Sequence, residues 1–336
     1  MTGGNGLSGG AGTDAIILIN QGGGTAKSDL EIGAKVEAAM RAVGIQGEVE
    51  LLDGAGVVRR AKEAVAAKAP LIIVDGGDGS ISAAVGAIAG SVTVLGVLPL
   101  GTLNHLARDL GVPFNIEKAA AIIGGGYERR IDVAELNGRI FVNNSALGLY
   151  PLMVVDRDAQ EKRLGRSKKL AMAVAAARTI VRFRHSRMMV CAGGDREQID
   201  TPLLFVGNND YDVALPEAGR RETLDSGKLC VLALRLKERW GLLGIALCAL
   251  LGFTRGDDMI RLDAVDELRI ESRRSHLTAS IDGETEQLLS PLTYRIRPGA
   301  LRVMAPVVVS SRREVNRRSR TPRRPLQLPP QAKGYA

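Results

Sequence analysis

Three glycine loops and one late pair of carboxylates hold the residues whose types and spacing could do chemistry. The loops are Asn20-Gln21-Gly22-Gly23-Gly24-Thr25, Gly76-Gly77-Asp78-Gly79-Ser80 and Gly101-Thr102-Leu103-Asn104; the carboxylates are Asp282 and Glu284, on either side of Gly283. Glycines at the end of a strand let an anion approach the backbone and leave N–H groups free to meet it. Asp78 would repel a bare phosphate, and its place is sensible if Mg²⁺ or a substrate hydroxyl lies between them. The plainer alternative for the second loop is an ordinary strand-to-helix turn with a capping Asp or Ser. For Asp282-Gly283 it is a type I′ hairpin, whose favoured dipeptide this is. A carboxylate there could instead serve as general base for a hydroxyl nucleophile, or as a metal partner. The chain has no G-x-x-x-x-G-K-[ST] run, and no G-x-G-x-x-G follows its first strand. A P-loop is therefore excluded and a dinucleotide fingerprint poorly supported, whereas a nucleoside triphosphate cradled by glycine turns fits.

The elements that must position these residues alternate in type. Apolar strands are expected at Ala15–Asn20, Glu48–Leu52, Leu71–Val74 and Val92–Leu98. Helices are expected at Asp29–Val43 with Ser28 as N-cap, at Val57–Lys68, from Ile81 onward, at His105–Leu110, and at Phe114–Ile123 with Asn115 as N-cap. Alternation of this kind predicts a parallel sheet covered by helices, with ligands at the carboxyl ends of the strands. Beyond Arg130 the pattern changes to strands separated by turns: 130–136, 139–144, 187–191, 202–207, 228–236, 267–272, 277–281, 293–297 and 301–309. The predicted fold is thus an N-terminal three-layer α/β nucleotide-binding domain followed by a β-sandwich domain. The expected boundaries are a disordered leader at 1–14, the α/β domain at 15–130, the sandwich at 131–309 and a disordered basic tail at 310–336. Two helical segments interrupt the sandwich, Ser167–Arg184 and the apolar Trp240–Phe253. The second is about 14 residues, short of the roughly 20 that span a bilayer; it suits a core or interface helix, or a surface dipping into a membrane.

Charge and composition narrow the partners. The net charge of +8 is misleading, because residues 312–336 alone carry +7. The folded body is close to neutral, and aromatic residues make up 3% of the chain, so neither a basic face nor stacking platforms for nucleic acid are expected. Cys191, Cys230 and Cys248 have no metal-ligand spacing and are odd in number, which points to a reducing compartment. The first residues have neither a basic nor an apolar region of a signal peptide.

Taken together, the motifs resemble the diacylglycerol kinase catalytic-domain family. The matching runs are Gly76 to Ser80, Pro99-Leu100-Gly101-Thr102-Leu103-Asn104 with Ala107-Arg108, Asn143 to Gly148, Gly207-Asn208-Asn209, and Ile281-Asp282-Gly283-Glu284. The resemblance implies an ATP-dependent lipid kinase acting on a diacylglycerol-like or sphingoid-type hydroxyl, with Mg²⁺ and ATP. It implies ATP contacts from Asn20, Gly22, Gly23, Gly24, Thr25, Gly76, Gly77, Asp78, Gly79, Ser80, Ile81, Ser82, Gly101, Thr102 and Asn104. Asp78 would act through Mg²⁺ or orient the acceptor, Glu284 would accept the proton with Asp282 beside it, and Asp225 would hold a second, structural Mg²⁺. The chain departs from the family at Gln21, where Pro is usual, and at His105, where Asp is usual. The expected location is cytoplasmic and peripheral at the inner membrane face, with the basic run 157–169 and the Arg-rich tail facing anionic lipid. A homodimer is compatible with all of this. Two alternatives stay open: a kinase of a soluble metabolite such as a dinucleotide, and a non-catalytic lipid- or nucleotide-binding protein on a kinase scaffold.

Overall fold

The computed structural model describes residues 13–22, 29–101, 104–149, 151, 186–211, 221, 223–234, 259–262, 265–307 and 323–324. Its first half alternates as expected: β1 (Thr13–Asn20), α1 (Ile32–Ala42), β2 (Ile45–Leu52), α2 (Gly54–Ala66), β3 (Leu71–Asp75), α3 (Asp78–Ile88) and β4 (Val94–Leu98). Ile17, Leu18 and Ile19 are all fully buried, as is every residue of β3. Strands covered on both faces read as continuous apolar runs, which is why no alternation marks them in the sequence. All pairings here are parallel, in the order β2-β1-β3-β4. The connection from β1 turns to one side of the sheet and that from β3 to the other. A crevice therefore opens at the carboxyl ends of β1 and β3, the place where such sheets bind ligands.

Local signals account for most helix boundaries. The Asp53 carboxylate caps α2 by accepting from the N–H of Gly56 at 2.7 Å, and Asn115 caps α5 (Ile116–Gly125) by accepting from that of Lys118 at 2.8 Å. Before α1 it is Asp29 that accepts, from the N–H of Glu31; Ser28 lies outside the described residues. α4 (His105–Leu110) starts where expected, but α3 starts at Asp78, three residues before the expected Ile81. Asp78, Gly79 and Ser80 thus form the first turn of a helix and not a free loop.

The sheet does not end at β4. β16 (Leu292–Ala305) is one 14-residue strand where the sequence predicts two, with a register shift between Arg297 and Leu301 that spans Pro298 and Gly299. A bulge of this kind bends a strand without ending it. Its last residues, Arg302 and Val303, run parallel to β4. Along its length it pairs antiparallel with β5 (Tyr127–Leu136), which leads to β6 (Arg139–Phe141). Its first half then pairs with β13 (Glu267–Ser272), followed by β8 (Ser186–Ala192) and β9 (Asp195–Thr201). The expected boundary at 130 falls inside β5, and Leu301, Val303 and Met304 pack into the core of the first domain.

The second sheet has the order β15 (Glu284–Leu289), β14 (His276–Ile281), β7 (Asn144–Gly148), β10 (Leu203–Asn208), β11 (Leu229–Leu234) and β12 (Met259–Leu262). Leu204, Val206, Val231 and Ile281 from this sheet face Leu268, Ile270, Phe141 and Tyr294 from the first, which makes the expected sandwich. The Tyr294 and Phe141 rings meet edge-on at 6.3 Å, and the Tyr294 hydroxyl lies 3.1 Å from Ser145 Oγ. β9 and β15 escape sequence reading because both are polar edge strands, Asp-Arg-Glu-Gln-Ile-Asp-Thr and Glu-Thr-Glu-Gln-Leu-Leu, whose charges suit an uncovered edge. Of the tail expected to be disordered, Arg323–Arg324 form a two-residue strand, β17, beside β12; the remainder lies outside the described residues. The Ser167–Arg184 and Trp240–Phe253 segments and the 157–169 basic run also lie outside them. Among the described residues no helix is long and apolar enough to cross a membrane.

One buried ion pair ties the domains together beside the crevice. The Arg221 side chain is fully buried and meets Asp109 of α4 at 2.7 Å, and it also donates to the carbonyl of Val142 at 2.6 Å. Removing one partner of such a pair strands the other charge, which costs about 3–5 kcal/mol. Asp109→Ala should lower unfolding free energy by about 3 kcal/mol in a denaturant titration.

Candidate active site

The crevice between β1 and β3 is closed by one side-chain bond and two close approaches. Asn20 Nδ2 donates to Ser80 Oγ at 2.6 Å across it, and Asn20 Oδ1 accepts from the N–H of Gly22 at 2.9 Å. Gly76 has φ +150°, and a Cβ there would lie 2.7 Å from that of Ser80. A Cβ on Gly101 would lie 2.6 Å from the Cα of Gly77 and 2.9 Å from the carbonyl oxygen of Gly76. The second and third loops therefore touch backbone to backbone, which only glycine allows. Gly77 occupies the N-cap position of α3 with no side chain to cap it. The Gly77 carbonyl takes the N–H groups of Ser80 and Ile81, which leaves those of Asp78 and Gly79 for an outside acceptor, and the helix dipole favours that acceptor being an anion. Asp78 Oδ1 accepts from the backbone N–H of His105 at 2.6 Å, which joins α3 to α4 and leaves Oδ2 without a partner among the described residues. Because the donor is backbone, this bond does not depend on the identity of residue 105.

On the other side of α3 stands the hairpin between β14 and β15. Asp282 and Gly283 have φ +46° and +87°, the left-handed pair of a type I′ turn. The plain hairpin reading is therefore correct as far as it goes, but the Asp282 side chain does more. Oδ1 accepts from the N–H groups of Asn143 (2.8 Å) and Asn144 (3.0 Å); Oδ2 accepts from the N–H of Val142 (2.8 Å) and from the Ser82 hydroxyl. Burial pushes this carboxyl above its ordinary range, and the four donors act in the opposite direction. Four bonds use the acceptor sites of both oxygens, so none remains for a substrate proton. Asp282 is a clamp between α3, the hairpin and the segment before β7.

Glu284, two residues on, is exposed. Its Oε2 accepts from Arg139 at 2.7 Å, and Arg139 also donates to Glu286. Its Oε1 lies 3.6 Å from where a Cβ on Gly79 would stand, so the carboxylate meets the α3 N-terminus at the one position with no side chain in the way. A cleft of about 370 Å³ runs from here along α3, floored by Gly86, Ala83 and Ala87 and rimmed by Lys62, Arg139 and Glu284. Sequence reading did not single out Arg139. Its signal was the Asn137-Gly138 turn before it, also with positive φ at both residues, which starts β6.

The structure thus gathers Asn20, Gly22, Gly76, Gly77, Asp78, Gly79, Ser80 and Gly101 at the crevice, with Glu284 beside them. Three other expected nucleotide contacts have different surroundings. Ile81 is buried in the core, Ser82 faces Asp282, and the buried Asn104 donates to the carbonyls of Pro99 and Gly101. Gly23, Gly24, Thr25 and Thr102 lie outside the described residues. Asp225 pairs with Arg129 at 3.1 Å, and among the described residues no three acidic, His or Cys side chains gather to hold a metal, there or elsewhere.

Comparison with known proteins agrees with this architecture. Residues 14–136 match the model of the diacylglycerol kinase catalytic domain. The chain is 26% identical over 227 residues to the Bacillus subtilis (strain 168) protein named diacylglycerol kinase, covering 67% of this chain and 74% of that one. It is 29% identical over 306 residues to the Pseudomonas aeruginosa PAO1 protein named "Probable lipid kinase YegS-like", covering 87% of this chain and 95% of that one. The crystal structure of a diacylglycerol kinase from Bacillus anthracis str. Sterne superposes with a TM-score of 0.64 at 19% identity, over 89% of this chain and 98% of that one, a likeness of fold alone.

Asp282→Ala would leave the Ser82 hydroxyl and three backbone N–H groups without an acceptor, at about 1–3 kcal/mol for each group left buried and unpaired. The expected loss of stability is about 3 kcal/mol or more, against about 1 kcal/mol for Ser82→Ala, read from denaturant midpoints.

Proposed function

We propose that this chain, whose residues 14–136 match the diacylglycerol kinase catalytic domain, is an ATP-dependent lipid kinase. It transfers the γ-phosphate of Mg·ATP to the hydroxyl of a diacylglycerol-like or sphingoid-type lipid. The observation that carries this reading is the meeting of Glu284 with Gly79: a free carboxylate oxygen from the second domain stands against the uncapped N-terminus of α3. Phosphoryl transfer asks for positioning and charge stabilisation more than for covalent help from the protein.

The residues divide the work. Asn20, Gly76, Gly77, Gly79, Ser80 and Gly101 receive the polyphosphate through backbone N–H groups and small hydroxyls, with the α3 dipole aimed at it. Mg²⁺ brought with the nucleotide would supply charge neutralisation, and one carboxylate plus phosphates is a usual coordination for it. Asp78 would hold it by Oδ2, the oxygen not bonded to the His105 N–H. The acceptor hydroxyl enters from the cleft along α3, and Glu284 Oε1 takes its proton as the new O–P bond forms and the bond to the leaving ADP breaks. Arg139 holds Glu284 by the other oxygen, so Oε1 is the one left open. Asp282 contributes position and not a proton site. The small residues of the cleft floor, with Lys62 and Arg139 at its rim, suit an amphiphile that offers a polar head and carries its chains away.

Glu284→Gln should keep the fold and nucleotide binding and lower kcat by about 10²–10⁴-fold, the range for loss of a general base. The assay follows labelled γ-phosphate from Mg·ATP into diacylglycerol or sphingoid base dispersed in detergent, beside soluble alcohols and dinucleotides. Label in the soluble pool alone would overturn the lipid assignment, and full activity in Glu284→Gln would overturn the assignment of the base.

A further inference from the structure

Asp75 takes no part in the chemistry above, yet it lies directly beneath it. It ends β3, in register with Ile19 of β1 and Leu98 of β4, and precedes Gly76. Its side chain is fully buried, and neither carboxylate oxygen has a hydrogen-bond partner among the described residues. The N–H groups of Leu100 and Gly76 are near it, but neither meets it in hydrogen-bond geometry. An ionised carboxylate in that setting would have no counter-charge and only two poorly aimed backbone N–H groups near it, a costly state that buried carboxyls avoid by keeping their proton.

A second orphan lies at the same base. Asn104 is buried, and its Nδ2 is committed to the carbonyls of Pro99 (3.0 Å) and Gly101 (2.7 Å). That fixes the amide with Oδ1 facing away from both, and Oδ1 has no donor. It stands where the two loops touch, 2.6 Å from the point that a Gly101 Cβ would occupy, a point itself 2.9 Å from the Gly76 carbonyl oxygen. Each loop base thus holds a buried acceptor with no donor, and for a carboxyl the simple remedy is to keep its proton.

We propose that Asp75 stands as a neutral carboxylic acid beneath the two loops, a positioning residue whose ionisation would put an unpartnered charge at their base. Burial pushes the Asp75 carboxyl up to about 7, against the pull of the Leu100 and Gly76 N–H groups. The charged and titratable groups on the neighbouring helices are Asp78 of α3 and His105, Arg108 and Asp109 of α4, of which Asp109 is paired with Arg221. β1 and β4 present Ile19, Asn20 and Leu98, which do not ionise. In the unfolded chain Asp75 ionises near 4, so its contribution to stability is full below that pH, is lost as pH rises to about 7, and is constant above.

The test is thermal unfolding of the full chain, wild type against Asp75→Asn, from pH 4.5 to 8.5. Asn keeps the shape and a donor but cannot ionise. The variant should match wild type at pH 4.5 and exceed it by roughly 5 °C at pH 8.5. Parallel curves, or a variant that is less stable or unfolded at pH 8.5, would overturn the proposal. Titration of ¹³C-carboxyl-labelled aspartates gives an independent reading: the resonance that is missing from Asp75→Asn should move between pH 6 and 8 in the wild type, and its standing still there would overturn the proposal as well. A third arm rests on the nucleotide reading of the loops. ATP affinity of the wild type, relative to Asp75→Asn, should fall by about threefold from pH 6 to 8.5, as a charge appears near the phosphates. No ATP binding at any pH would count against that reading and leave the unfolding arm standing, whereas equal affinities across the range would remove the positioning role.

Discussion

One antiparallel pairing, β5 against β16, carries the rest of the structure. It runs from Ala305 beside Tyr127 in the first domain to Tyr294 beside Leu136 in the second, with a single bulge on the way. At one end β16 lies parallel to β4 and completes the α/β sheet; at the other it starts one face of the sandwich. The two domains therefore share a sheet, and their relative orientation is set by backbone hydrogen bonds along one strand pair instead of by a flexible linker. A site built from both domains needs that: a carboxylate from a hairpin in one can meet a helix terminus in the other only if the frame between them holds its geometry.

Side-chain bonds then refine the frame. Asp282 binds the hairpin to α3 and to the residues before β7, and Arg221 binds α4 to the same segment through the Val142 carbonyl. Both use buried charge, and both meet its cost with several hydrogen bonds per group. Removing one partner leaves the rest stranded, so these residues fix the geometry of the site more than they add net stability. Asp132 does comparable work at the bulge, accepting from the N–H groups of Gly227 and Gly299.

Much of this was legible in the chain. The apolar runs at β1, β3 and β4, the capping residue Asn115 and the turn dipeptide Asp282-Gly283 all act through neighbours in sequence, and local rules find them; the Asp53 cap, which starts α2 at Gly54 and not at the expected Val57, went unread. The three loops were legible as glycine clusters after strands. The polar edge strands β9 and β15 were not, because an edge needs no hydrophobic stripe to mark it. The continuity of β16 was hidden by Pro298 and Gly299, which read as a break and serve as a bulge.

Roles within the site divide in the same way. Residue type and order pointed to an α/β domain, a following sandwich and a family resemblance, since strand propensity, glycine turns and motif order are properties of the chain itself. Which carboxylate has a free oxygen, which serine faces the crevice and which the clamp, and which arginine holds Glu284 were decided only when distant segments met. Asp282 and Glu284 are equivalent acids in the sequence. They differ in the fold because one is surrounded by four donors and the other is held by a single guanidinium, and a carboxylate's chemistry is set by what surrounds it.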